Sequence, residues 1–100
     1  MFEPLPPDVI EQLNRDFVGR ADSVAATLLA SRRLRSSDYI GDRLIRCIVF
    51  SAHGDEMRIQ QLIDLERQDF RDVIMSAEYD SIGLRRLRDF NQPFGRADFT

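Results

Sequence analysis

The sequence is short of the residues that most reactive sites and covalent cross-links need. It has one cysteine, one histidine and no tryptophan, and all fourteen basic residues are arginine. One cysteine cannot form an internal disulfide, which predicts a protein of the reducing cytoplasm. No apolar run approaches the ~18 residues of a membrane span, and the acidic, proline-rich N-terminus does not resemble a signal peptide.

The sequence motifs of the common catalytic sites are missing too. There is no Gly-x-Ser-x-Gly, no glycine-rich phosphate loop and no Rossmann fingerprint. Nucleophilic catalysis needs Ser or Cys beside a base, but Cys47 lies in an apolar run and predicts a small core residue. We therefore assign no catalytic residue, no cofactor and no metal site, and we predict that the protein is not an enzyme. A metal-dependent enzyme around His53, with Asp55 and Glu56, is the second alternative, since imidazole and carboxylates bind divalent metals.

What the sequence does contain is the pattern of a helical domain. One hundred residues, 43% of them hydrophobic, indicate one domain with a modest core. We predict an all-α fold, a compact array of four to six short-to-medium helices with the 38–53 helix central. The single domain spans 1–100, with an extended N-terminal lead at 1–7 and a C-terminal aromatic tail at 91–100.

The central helix is predicted from its caps and from its apolar residues. Ser36, Ser37 and Asp38 can cap its first turn, and Gly54 suits the left-handed residue that follows a helix. Between them the helix is apolar nearly all round, which is typical of a helix covered by its neighbours. The remaining polar side carries Asp42, Arg46 and His53. Asp42 and Arg46 are predicted to form a solvated ion pair.

The second half of the chain leaves one alternative open. Asp55 can cap a helix that runs on to 79, either unbroken or divided at Gln68-Asp69, and we favour the division because one helix would be about 37 Å long. Asp80 to Gly83 predicts a turn. Leu84 to Phe90 then predicts a short last helix.

The segment from Ala52 to Asp55, followed by Leu62 and Ile63, resembles the helix–turn–helix core of an ankyrin repeat over about a dozen residues. The Thr-Pro-Leu-His signature of that family is missing, and nothing recurs at its period. The resemblance therefore implies a helix–turn–helix and carries no function.

The predicted function is a non-catalytic protein–protein interaction or regulatory module that self-associates, as a homodimer, or that binds another protein. Several apolar residues lie off the main helical stripes, and exposed apolar area of that kind marks an interface. These candidate interface residues are Met57, Leu65, Met75, Tyr79, Phe94 and Phe99.

The first alternative is a nucleic-acid-binding regulator. Two arginine clusters with the same spacing could follow a phosphate backbone if the fold brought them onto one face. They consist of Arg32, Arg33 and Arg35, and of Arg85, Arg86 and Arg88. The net charge of −3 does not favour nucleic acid, and it equally does not favour an anionic membrane.

Overall fold

The structure is a computed structural model that describes residues 5–33, 41–80 and 82–96. These ranges hold five α-helices and confirm the all-α fold. They are α1 (Pro7–Asp16), α2 (Ala21–Arg33), α3 (Gly41–Ala52), α4 (Glu56–Gln68) and α5 (Phe70–Glu78). Over the same ranges, no helix combines the length and the apolarity needed to cross a bilayer.

Helix α3 occupies the centre of the array, as predicted. It packs against α1, α4 and α5, and eight of its twelve residues are buried. Cys47 is one of them, as predicted for a core residue. Burial, with the negative charge of Glu78 beside it, raises the pKa of the Cys47 thiol far above its ordinary value. The predicted N-cap cluster at Ser36 to Asp38 lies outside the described residues.

The helix ends follow from local chemistry. Gly54, directly after α3 and His53, has a φ of +78°, which glycine adopts without a Cβ clash. The Asp55 carboxylate accepts hydrogen bonds from the backbone N–H groups of Met57 and Arg58, at 3.0 and 3.4 Å, and so caps α4. The Asp69 side chain accepts from Arg71 N–H at 3.0 Å. The division at Asp69 is therefore confirmed.

The predicted last helix at Leu84 to Phe90 is wrong. Tyr79 and Arg86 form an antiparallel β-bridge instead. The backbone N–H groups of Leu87 and Arg88 donate to the Glu78 carbonyl, at 2.6 and 3.1 Å. Because Glu78 accepts these donors, the chain pairs with the end of α5 instead of forming a helix.

Residues 82–96, called the C-terminal segment below, add aromatic side chains to the core. Phe90 is 1% exposed and belongs to the main hydrophobic cluster, and Phe94 packs against that cluster. The Phe90 ring lies 5.3 Å from the Phe50 ring of α3 and 5.5 Å from the Phe94 ring, centroid to centroid. The segment therefore covers one side of the central helix.

Candidate functional site

Arg46 ties the C-terminal segment to α1 and α3. The sequence predicts it on an exposed polar side, but it is only 8% exposed. Its guanidinium donates to both carboxylate oxygens of Asp8, at 2.9 and 3.1 Å, and to the Phe90 carbonyl at 3.1 Å. The N–H of Phe94 donates to the same Asp8 carboxylate at 3.0 Å. Burial alone would raise the pKa of Asp8, but the hydrogen bonds from Arg46 and Phe94 hold it below its ordinary value.

Glu78 ties the segment to the end of α5. Its side chain is fully buried and forms ion pairs with Arg43 at 2.6 Å and with Arg86 at 2.9 Å. The backbone N–H of Phe90 donates to it at 3.0 Å. Burial alone would raise the pKa of this carboxyl, and the donors from Arg43, Phe90 and Arg86 outweigh that effect, so the pKa lies below its ordinary value.

Sequence reasoning missed both clusters, although a signal existed for one of them. Val73, Ile74 and Ala77 form an apolar stripe on α5, and Glu78 continues it four residues after Ile74. A carboxylate on a buried stripe needs a buried cation. The sequence could have predicted that need, though not which arginines would meet it.

The Glu78 cluster lies beside an exposed apolar surface, which we call the α5 corner. It consists of Met75, Tyr79, Ile82 and Leu84. Ile82 is 71% exposed, Leu84 is 82% exposed and Met75 is 41% exposed. Three of the four residues, Met75, Tyr79 and Ile82, line an open cavity of about 590 Å³.

The loop that carries Ile82 and Leu84 contains hydrogen bonds between its own residues. Asp80 N–H donates to the Arg85 carbonyl at 2.9 Å, and Gly83 N–H donates to the Asp80 carbonyl at 3.0 Å. Leu84 N–H donates to the Asp80 carboxylate at 3.1 Å. A Cβ at Gly83 would lie 3.3 Å from the Met75 methyl carbon, so the loop sits close against α5.

The structure brings together only part of the predicted interface set. Met75 and Tyr79 meet at the α5 corner. Met57 is 75% exposed in the first turn of α4, and Leu65 and Phe94 are partly buried against the core. Phe99 lies outside the described residues. The sequence signal for Ile82 and Leu84 was two large apolar residues on either side of a turn glycine.

The arginines of the two predicted clusters have different environments. Arg85 is exposed, whereas Arg86 binds Glu78 and Asp89. Arg88 donates to the Ala77 carbonyl at 3.1 Å, and its guanidinium lies 4.3 Å from the Phe50 ring centroid. Arg32 and Arg33 are the last residues of α2. Arg35 lies outside the described residues.

The three residues of the predicted metal site, His53, Asp55 and Glu56, make separate contacts. Asp55 caps α4, as described above. Glu56 pairs with Arg20 at 2.9 Å, and the exposed His53 packs its ring 5.5 Å from Phe50. Within the described part of the chain, no three His, Cys, Asp or Glu residues are grouped so that they could hold a metal ion.

No family model, curated protein or solved structure matches the chain. The α5 corner combines a hydrogen-bonded loop with a helix face, and together they expose several apolar side chains.

Proposed function

We propose that the protein is a non-catalytic interaction module that self-associates through the α5 corner. The observation that carries this proposal is the exposure of Ile82 and Leu84, at 71% and 82%, beside Met75. Neighbouring apolar side chains so open to water gain free energy when a second surface covers them.

The hydrogen bonds within the loop support the same proposal. Ordering a loop on binding costs free energy, and a loop that is already ordered avoids that cost. The hydrogen bonds at Asp80, Gly83 and Leu84 tie Ile82 and Leu84 to the end of α5. Less backbone ordering is thus needed when a partner binds.

The charges around the α5 corner favour a second copy of the chain as the partner. Arg71 and Asp72 are exposed on α5, and Asp80 and Arg85 flank the loop. A two-fold symmetric interface brings a surface against its own copy. A surface with charges of one sign would repel itself, whereas this mixed set can pair acid with base across the symmetry axis.

The proposal is tested by sedimentation velocity across a concentration series, with the double variant Ile82→Ser/Leu84→Ser. We expect the wild-type chain to pass from monomer to dimer as its concentration rises through the micromolar range. We expect the variant to associate at least about tenfold more weakly, because burying even one such side chain is worth roughly 1.5–3 kcal/mol.

Val18→Ser is the matched control, since Val18 is 83% exposed but lies between α1 and α2. It should leave the dimer dissociation constant unchanged. A wild-type chain that stays monomeric at every concentration would refute the proposal. So would a control variant that weakens association as much as the double variant does.

A further inference from the structure

A second cavity lies where α1 and α3 end, and it shares no lining residue with the α5 corner. It measures about 480 Å³, within the usual range for small-ligand sites. Its walls combine aromatic rings with polar groups, contributed by Gln12, Asp16, Phe50, His53, Phe90 and Phe94. We call it the aromatic cleft.

The aromatic side of the cleft presents several rings in contact with one another. Phe90 is buried beneath Phe50 and Phe94, with centroid distances of 5.3 and 5.5 Å. The His53 ring lies 5.5 Å from Phe50. Ring faces attract cations, because the π-electrons make the face negative. The chain already shows this preference, since the Arg88 guanidinium lies 4.3 Å from the Phe50 centroid.

The polar side of the cleft is negative. Asp16 is half-buried, and among the described side chains it accepts a hydrogen bond from Gln12, at 3.1 Å. This bond uses one carboxylate oxygen, Oδ1. A carboxylate has about four acceptor positions. Asp16 therefore keeps acceptor capacity for a ligand in the cleft.

The ends of two helices add to this negative potential. α1 ends at Asp16 and α3 ends at Ala52. The two ends are in contact, because a Cβ at Gly54 would lie only 3.0 Å from the Asp16 carbonyl oxygen. The C-terminal end of a helix carries roughly half a negative charge. The last turns of both helices lie at the cleft, since Asp16 and Phe50 line it.

We propose that the aromatic cleft binds a guanidinium group, through the Asp16 carboxylate and the Phe94 ring. A guanidinium is planar, so it can stack on a ring, and its fork of N–H donors matches a carboxylate. The group could belong to a small free molecule or to an arginine side chain of another protein.

The test uses two probes that separate these sources, methylguanidinium and the blocked tripeptide Gly-Arg-Gly. Amide chemical shifts of the ¹⁵N-labelled chain are followed in each titration. We expect saturable shifts at His53, Phe94 and Gly95 with dissociation constants of about millimolar size, given the few atoms of the probes. A tripeptide that binds at least tenfold more tightly indicates an arginine on a protein, and equal affinities indicate a small free cation.

The control tripeptide replaces arginine with citrulline, which keeps the shape and removes the charge. It should bind at least tenfold more weakly. Asp16→Asn should weaken the binding of both guanidinium probes by a similar factor, whereas Asp64→Asn, which removes the same charge from the exposed face of α4, should not. The thermal unfolding midpoint of each variant establishes that it is folded.

Three results would overturn the proposal. The first is the absence of saturable shifts with either probe well above millimolar concentration. The second is equal binding of the citrulline and arginine tripeptides. The third is unchanged affinity in a folded Asp16→Asn variant.

Discussion

Glu78 shows what one buried charge requires of the rest of the chain. An ionised carboxylate without water is stable only when cations and hydrogen-bond donors replace that water. Arg43 and Arg86 supply the cations, and Asp89 pairs with Arg86 at 2.9 Å. The four groups carry two charges of each sign, so the cluster is neutral as a whole. This balance explains how a fully buried glutamate is accommodated.

Replacing Glu78 with glutamine should destabilise the protein by about 3 kcal/mol, because two arginines lose their buried anion while the side-chain shape is kept. Urea unfolding at neutral pH measures this loss. Glu11→Gln is the comparison, since Glu11 pairs with Arg15 in solvent, and it should cost less than about 1 kcal/mol. Equal losses in the two variants would contradict the role given to the Glu78 cluster.

At the scale of the helices, the sequence predicts what depends on near neighbours. Gly54, Asp55 and Asp69 were identified because a helix start or stop is decided within one turn of the chain. The segment from Leu84 to Phe90 was predicted to be a helix for the same kind of reason. It forms no helix because its backbone pairs with Glu78 and Tyr79 instead, and nothing in the segment's own sequence indicates that pairing.

The two turn glycines after α1 and α3 allow a test of how the helix ends pack. Gly19 and Gly54 have nearly the same φ, +79° and +78°, but a Cβ at Gly19 meets nothing within 4 Å. Gly19→Ala should therefore cost about 1 kcal/mol, for the left-handed backbone alone. Gly54→Ala should cost about 2 kcal/mol or more, since its methyl group also meets the Asp16 carbonyl at 3.0 Å.

Urea unfolding gives the loss in free energy of unfolding for each alanine variant. The cost of the left-handed backbone is common to both variants, so it cancels when the two losses are compared. The difference between them measures the packing of the α3 end against α1. If Gly54→Ala is no more destabilising than Gly19→Ala, the two helix ends are not in the close contact that the aromatic cleft depends on.

At the scale of the whole molecule, both buried ion-pair clusters join residues far apart in sequence. Asp8 and Arg46 are 38 residues apart, and Arg43 and Glu78 are 35 residues apart. Hydrophobic periodicity reports which face of a helix is buried, but not which polar residues meet there. For that reason the central helix was predicted correctly, while the environment of Arg46 was not.

Of the two candidate surfaces, the α5 corner was predicted in part from the sequence and the aromatic cleft was not. Met75 and Tyr79 were selected as apolar residues off the main helical stripes, and both line the cavity at the α5 corner. The aromatic cleft joins α1, the end of α3 and the C-terminal segment. Such a site exists only after the chain has folded back, so the residues gave no sign that they shared it.

The two clusters also predict how stability depends on pH. Asp8 and Glu78 have pKa values lowered by folding, so near pH 4 the unfolded chain binds more protons than the folded one, and stability rises with pH. Their contribution to stability should be complete above about pH 5, because the pKa values of these carboxyl groups in the unfolded chain are near 4. The contribution should be lost as the pH falls through their lower pKa values in the folded state.

Urea midpoints between neutral pH and about pH 2 measure this dependence. The decline at acid pH should be smaller in Glu78→Gln, which has one fewer carboxylate to protonate. An identical decline in the variant and the wild type would show that Glu78 does not contribute to it.

Asp8 also sets a constraint on how the protein is made. Its carboxylate accepts a hydrogen bond from Phe94, 86 residues further along the chain. A ribosome that has synthesised Asp8 must add 86 more residues before that donor exists. The native arrangement around Arg46 therefore forms only after Phe94 has left the ribosome, and until then the nascent chain carries an unfinished core.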